Sequence, residues 1–293
     1  MFPTLYSSDM VSIHAWGLMV LLAFAVACGV AGWRAPRVGI DPDKLVPLYV
    51  LVGVAGMLGA RLLHFVFAEP DLFFTNPLGF FDAEHGGWAF YGGVIGGVGA
   101  GAVYARVRDV AVWKLADIAA ASIMLGLAVG RIGCVLAGCC HGGVCDAPVL
   151  GDLLVMPYGE VKLVDGFPHV ALRFEPGVGV GALRGRVLFP TQLMEVGSGL
   201  LWFGLLSAMW RWGRRFDGQV LAAMMVLYAG SRTWVEGFRG DTIRGLYDVA
   251  GVQLSTSRLV AIGMAVGALA IVALRFSRGV APEVPFEPED EEV

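Results

Sequence analysis

Three arginines lie inside stretches of the chain that are otherwise apolar: Arg61, Arg131 and Arg232. At the centre of a membrane helix an arginine costs about 2.5–3.5 kcal/mol, so each one needs a reason to be there. A guanidinium is a permanently charged planar fork that grips phosphate or carboxylate through two parallel hydrogen bonds. The chemistry on offer is therefore recognition of an anion. Plainer readings stand beside it. Close to a helix end, Arg61 can snorkel to water. Arg232 has Glu236 one turn later on the same helical face. That spacing serves a structural ion pair as well as a carboxylate that orients Arg232 for a ligand. Arg131 stands in Gly130-Arg131-Ile132-Gly133, and small neighbours let a ligand or another backbone come close to it.

Glycine supplies a second signal. The stretch Gly86-Gly87-Trp88-Ala89-Phe90-Tyr91-Gly92-Gly93-Val94-Ile95-Gly96-Gly97 opens another apolar block. In a helix each glycine costs roughly 1 kcal/mol against alanine. Tight helix–helix packing in a membrane would repay that cost. So would a groove-lining helix start whose N–H groups, Gly92 and Gly93 among them, face an anion.

The elements that must carry these residues follow from composition. The chain has 293 residues, of which 57% are hydrophobic and only 16% charged, against about 25% charged in soluble domains. Its apolar residues fall in blocks of roughly 18–25, the length that crosses a hydrocarbon core. Seven spans are expected: Ile13–Trp33, Leu45–Phe67, Trp88–Ala105, Val112–Leu136, Thr191–Trp212, Gln219–Val235 and Leu259–Phe276. The first has no basic residues before it and is long enough to span, so it reads as a membrane helix rather than a cleaved signal. The fold class is an all-α integral membrane protein with a small irregular or β-containing extracytoplasmic cap. Residues 1–276 form one membrane domain with 137–190 as the insertion, and 277–293 form a disordered acidic tail. β-like runs are Leu153–Met156 and Val170–Phe174.

Lys and Arg collect in short cytoplasmic loops. Arg34, Arg37 and Lys44 follow the first span, Arg106, Arg108 and Lys114 the third, Arg211, Arg214 and Arg215 the fifth, and Arg275 and Arg278 the seventh. The loop after the second span carries Glu69, Asp71, Asp82 and Glu84 instead. This pattern places the N-terminus outside and the C-terminus in the cytoplasm. It also sets Arg61, Arg131, Arg232 and Arg239 at one depth, toward the outer surface. The inner halves of the second, fourth and sixth spans are almost wholly apolar, which argues against the rival reading of a small-anion or lipid transporter. The net charge of -4 owes much to the tail, and no basic patch suggests nucleic acid.

Taken in order, five motifs resemble the bacterial prolipoprotein diacylglyceryl transferases. They are Gly59-Ala60-Arg61, Phe90-Tyr91-Gly92-Gly93-Val94-Ile95-Gly96, Gly130-Arg131-Ile132-Gly133, Phe189-Pro190-Thr191-Gln192-Leu193-Met194-Glu195 and Ser231-Arg232-Thr233-Trp234-Val235-Glu236-Gly237-Phe238-Arg239. The resemblance runs from about Ile13 to Phe276. It implies transfer of the diacylglyceryl group of phosphatidylglycerol to the thiol of a cysteine in the signal motif of a lipoprotein precursor. A thioether forms and glycerol phosphate leaves, in a bacterial inner membrane, with neither metal nor soluble cofactor. By the resemblance, Arg131 is the phosphatidylglycerol-binding arginine and Arg232 a second essential one. Glu236 and Arg239 are its polar partners, Gln192 and Glu195 polar positions opening the fifth span, and Arg61, Gly92 and Gly93 substrate contacts.

The chain departs from the family pattern twice. A histidine proposed as the base precedes Gly-Gly in the third span of the family; here Tyr91 stands there. A free phenol, with a pKa near 10, is a poorer base at pH 7, so Tyr91 would orient substrate, act as phenolate, or leave the positive field to activate the thiol. A family member with altered lipid transfer is the other possibility this opens. The second departure follows Arg131, where an asparagine and then a glutamate are replaced by Cys134 and Cys139. They belong to a cluster with Cys140, His141 and Cys145. Cys134 thus takes a substrate-binding position. A local disulfide, packing thiols or a metal site would each account for the cluster, although its spacing is not that of paired Cys-x-x-Cys knuckles.

Overall fold

Each apolar block becomes a helix. The computed structural model describes residues 4–7, 12–76, 79–80, 87–143, 149–156, 159–164, 169–174, 187–239, 246–249 and 252–277. Seven long helices match the seven expected spans: α1 (Ala15–Arg34), α2 (Leu45–Ala68), α4 (Phe90–Val107), α5 (Val112–Ala137), α6 (Thr191–Ala208), α7 (Gln219–Glu236) and α8 (Thr256–Ser277). A short α3 (Pro70–Thr75) follows α2. Five of the seven, α1, α2, α5, α6 and α8, are long and apolar enough to cross a membrane. The glycines of α4 and the polar residues of α7 lower the apolarity of the other two. Large apolar side chains face outward, with Val50 63% and Leu269 70% exposed. In water such continuous apolar surface would drive aggregation; in a bilayer, lipid covers it.

Between α5 and α6 the chain forms strands β3 (Val149–Met156), β4 (Gly159–Val164), β5 (His169–Phe174) and β6 (Val187–Leu188). They pair antiparallel in that order. The β-like runs Leu153–Met156 and Val170–Phe174 lie in β3 and β5. Two hairpins complete the strands, β1 (Thr4–Ser7) with β2 (Ser12–His14), and β7 (Leu246–Val249) with β8 (Val252–Ser255). The tail from 278, Cys145, Gly86, Asp82 and Glu84 lie outside the described residues.

The chain divides into two compact units, residues 31–115 and residues 1–30 with 116–293. In the first, α2 and α4 meet backbone to backbone. A Cβ on Gly59 would collide with the Gly92 carbonyl, and one on Gly96 with the Ala55 carbonyl. The glycine-rich stretch therefore packs one helix on another, and the close approach is what glycine permits. The N–H groups of Gly92 and Gly93 both bond to the Ala89 carbonyl, at 3.0 and 3.3 Å. At the other end of this pair, Tyr104 Oη donates to the Lys44 carbonyl and Lys44 Nζ to the Arg108 carbonyl, both at 2.9 Å.

In the second unit the core joins α5, α6 and α7 through Ala120, Ala121, Met124, Leu206, Val220 and Met224. Small residues again set the spacing. A Cβ on Gly199 of α6 would stand 3.0 Å from the Met124 carbonyl of α5, and one on Gly133 would stand 2.8 Å from Met19 of α1. Asp117, fully buried near the start of α5, accepts from the N–H groups of Gly218 (2.8 Å) and Leu221 (3.0 Å). It caps α7 from another helix, satisfying donors that a helix start otherwise leaves orphaned. Asp117→Ala therefore loses about 1–3 kcal/mol, read as a lower unfolding midpoint in detergent, with Asp117→Asn losing less. A midpoint equal to wild type would remove the cap from the account of how α7 is placed.

Candidate active site

The site grows from the ends of α5, α6 and α7. Arg131 lies in the last turns of α5, Glu195 in the first turns of α6, and Arg232 near the end of α7. Gly199, one turn after Glu195, brings α6 close to α5 and so puts the Glu195 carboxylate within reach of Arg131. Arg131 Nε stands 3.0 Å from Glu195 Oε2, an ion-pair contact without hydrogen-bond alignment. Arg232 Nη1 donates to Glu195 Oε1 at 2.7 Å. One buried carboxylate thus holds two guanidiniums from two other helices. Arg232 Nη2 also donates to Ser257 Oγ at 2.8 Å and lies 3.5 Å from Glu236 Oε2. The i, i+4 pairing expected of Glu236 is present, but Glu195 is the nearer counter-charge. Removing charges from water this way is costly unless the geometry is good, and here each side chain of the trio is at least four-fifths buried.

The segment after α5 runs between the start of α6 and the end of α7. Gly142 N–H bonds to the Phe189 carbonyl (2.8 Å) and Gly143 N–H to the Phe238 carbonyl (2.9 Å). A Cβ on Gly142 would meet the Phe189 side chain and both carbonyls, so no other residue fits. Thr191 Oγ1 donates to the Cys140 carbonyl (2.8 Å) and Gln192 Nε2 to the Cys139 carbonyl (2.9 Å). These bonds bring the sulfurs of Cys134, Cys139 and Cys140 within 4.8 Å of one another. Arg131 Nη1 lies 4.0 Å from Cys134 Sγ. Hydrogen bonds from the Cys134 and Cys139 thiols, with Arg131 and Arg239 close by, hold Cys140 well below the ordinary thiol range. The hydrogen bonds among the three thiols, with burial added, push Cys139 up. Arg239 therefore joins the thiol side of the site.

Beside these charges an apolar groove opens between α6 and α7. Met194, Leu201, Trp202 and Trp234 line it, with Gly197 and Gly230 on its walls. Met194 and Ser231, also in the wall, directly precede Glu195 and Arg232 in the chain. The same two helices thus carry members of the arginine–carboxylate cluster and the walls of an apolar trough, the two chemistries of a phospholipid.

Of the residues expected at the site, Arg131, Arg232, Glu195, Glu236, Gln192, Cys134 and Arg239 belong to this unit. Arg61, Tyr91, Gly92 and Gly93 belong to the other. There Arg61 is buried and donates to three backbone carbonyls, those of Phe80 (3.0 Å), Gly87 (3.2 Å) and Gly79 (3.3 Å). It fastens the connection between α3 and α4 rather than snorkelling. Gly87 has φ +77°, and the His64 ring fills the place a side chain would take. Tyr91 stacks edge-on with Phe90, ring centroids 5.8 Å apart. Two features escape sequence reading. Ser257 lies outside every span and motif read from the sequence, and its bond to Arg232 is made across helices. The bridging role of Glu195 had only one signal, a carboxylate just inside an apolar span.

Residues 3–274 match the model of the family described as prolipoprotein diacylglyceryl transferase. Among proteins named phosphatidylglycerol–prolipoprotein diacylglyceryl transferase, that of Geobacillus kaustophilus is 29% identical over 92% of this chain and 90% of its own length. That of Staphylococcus xylosus is 24% identical over 94% of this chain and 92% of its own length. For Rhodopirellula baltica the identity is 32% over 55% of this chain and 35% of the relative, so this alignment covers about a third of that longer protein. With the match to the family extending over nearly all of the chain, it belongs to the prolipoprotein diacylglyceryl transferase family.

Proposed function

We propose that this protein moves the diacylglyceryl group of phosphatidylglycerol onto the cysteine thiol in the signal motif of a lipoprotein precursor. The bond from the glyceryl carbon to phosphate oxygen breaks, a carbon–sulfur bond forms, and glycerol phosphate departs with the thiol proton going to a base or to the phosphate. The observation that carries this reading is the pair of buried arginines held on Glu195. Charge builds on the departing phosphate, and preorganised donors stabilise that charge more than the ground state. The groove between α6 and α7 supplies an apolar wall for an acyl chain. Gln192 supports the polar end. It is fully buried and spends its amide N–H on Cys139, and among the described residues no donor reaches its Oε1. A hydroxyl of the glycerol head group would satisfy that acceptor, which is costly to leave unpaired. The distribution of Lys and Arg supports an inner-membrane orientation with the N-terminus and the β3–β6 sheet outside and the C-terminus in the cytoplasm.

The test is a transfer assay on the detergent-purified protein with phosphatidylglycerol and a precursor peptide containing one cysteine. A diacylglyceryl mass gain that needs the peptide cysteine, Arg131 and Arg232 is expected. Full transfer by Arg131→Ala and Arg232→Ala would sink the site. Tyr91→Phe decides whether the phenol takes part: a rate within about threefold of wild type removes it, and a larger loss keeps it. The groove has its own test. A Cβ on Gly230 meets nothing within 4 Å, so Gly230→Leu folds and projects into the trough. Its KM for long-chain phosphatidylglycerol should rise about tenfold, roughly 1.4 kcal/mol, while a short-chain analogue is handled as before. An unchanged KM would remove the groove from the lipid path.

A further inference from the structure

The structure assigns Cys134, Cys139 and Cys140 as a three-sulfur site for a soft monovalent metal ion, copper(I). Their sulfurs lie within 4.8 Å of one another. An ion about 2.3 Å from each of three sulfurs, the usual length of a metal–thiolate bond, sets those sulfurs about 4 Å apart. Little movement separates the observed trio from that arrangement. Among the described residues no histidine nitrogen or carboxylate joins the group at that distance, and His141, next in the chain, has Nδ1 turned to the Gly142 carbonyl at 3.0 Å. Thiolates suit both zinc and copper(I), but zinc in structural sites takes four ligands and would be one short here, whereas three sulfurs complete a trigonal copper(I) site.

The backbone holds the trio before any ion arrives. Gly138 closes α5 in the left-handed region, φ +72°, and Cys139 N–H bonds back to the Cys134 carbonyl at 3.1 Å. Cys140 itself sits at φ +61°, a conformation that a non-glycine residue adopts at a cost. The fully buried side chains of Thr191 and Gln192 pin the carbonyls of Cys140 and Cys139 and keep it there. Strain held in place by buried partners turns adjacent cysteines 139 and 140 onto Cys134. On binding, each coordinating sulfur that still carries a proton releases it to solvent, no electron is exchanged, and the Arg131 guanidinium, 4.0 Å from Cys134, offsets the negative charge of the complex.

The experiment uses full-length protein in detergent, reduced, desalted without oxygen and titrated with copper(I) against a chromophoric copper(I) chelator. One equivalent per chain is expected, with a thiolate-to-metal absorption band. Cys139→Ser and Cys140→Ser should each weaken binding at least tenfold while eluting as folded protein, and Cys28→Ser, in α1, should bind like wild type. Binding that survives both substitutions, zinc binding tighter than copper(I), or protein isolated 2 Da lighter with Cys134 joined to Cys139 would each overturn the assignment. The assignment rests on sulfur geometry alone. Loss of transfer in the preceding assay would leave it intact, and absent copper binding would leave the transferase reading intact.

Discussion

Glu195→Ala should unfold at about 3–5 kcal/mol less stability than wild type and transfer no lipid. The magnitude is that of breaking a buried ion pair by removing one partner, which leaves charge without compensation. Here two charges are left, because Glu195 faces Arg131 at 3.0 Å and Arg232 at 2.7 Å. Ser257 and Glu236 still reach Arg232, whereas Arg131 keeps only a distant sulfur among its contacts named above, so Arg131 should swing away. Glu195→Gln retains the shape and one acceptor for Arg232 and should lose roughly half as much stability. Chemical unfolding in detergent, followed by helix content, reads the first effect and the transfer assay the second. An alanine variant as stable as wild type would mean that the two arginines draw their compensation from elsewhere, and the bridged pair would no longer be the organising element of the site.

The next largest effect is expected from changes that keep the charge and remove the fork. Arg232 uses both terminal nitrogens in different directions, one on Glu195 and one on Ser257. A lysine ammonium is a point charge on a flexible stem and cannot hold both partners and a phosphate in fixed geometry. Arg131→Lys and Arg232→Lys should therefore lower kcat by about 10²–10³, the loss typical of removing one preorganised donor to developing charge. kcat/KM should fall with kcat, as it does when the lost interaction belongs to the transition state. Because both residues act through Glu195, the double variant should be scarcely worse than either single one. A rise in KM with unchanged kcat would show that the arginines bind the lipid without aiding the reaction. Multiplied losses in the double variant would show two independent sites.

Local rules reached some of these features and not others. The i, i+4 rule picks Glu236 as the partner of Arg232, and the contact exists at 3.5 Å. The stronger partner, Glu195, comes from another helix 37 residues away, and no local spacing can rank it. The glycines of α4 allowed two readings, and backbone contacts such as Gly59 with Gly92 favour packing. Asp117 passed without notice in a block taken as apolar, because its partners, Gly218 and Leu221, are distant in the chain. The thiols were legible as a cluster. Their meeting depends on Thr191 and Gln192, which belong to a different helix.

What the sequence by itself determined is the set of membrane-length helices, the β-containing insertion, the family and the cost of burying arginine at 131 and 232. Those follow from residue type, run length and order, which are properties of the linear chain. Only the tertiary structure decided which carboxylate neutralises which arginine, what Arg61 holds, and which three sulfurs meet. Pairing of buried charge and thiol is chosen by distance across helices, and the cost of leaving such groups alone in a low-dielectric interior makes that choice decisive.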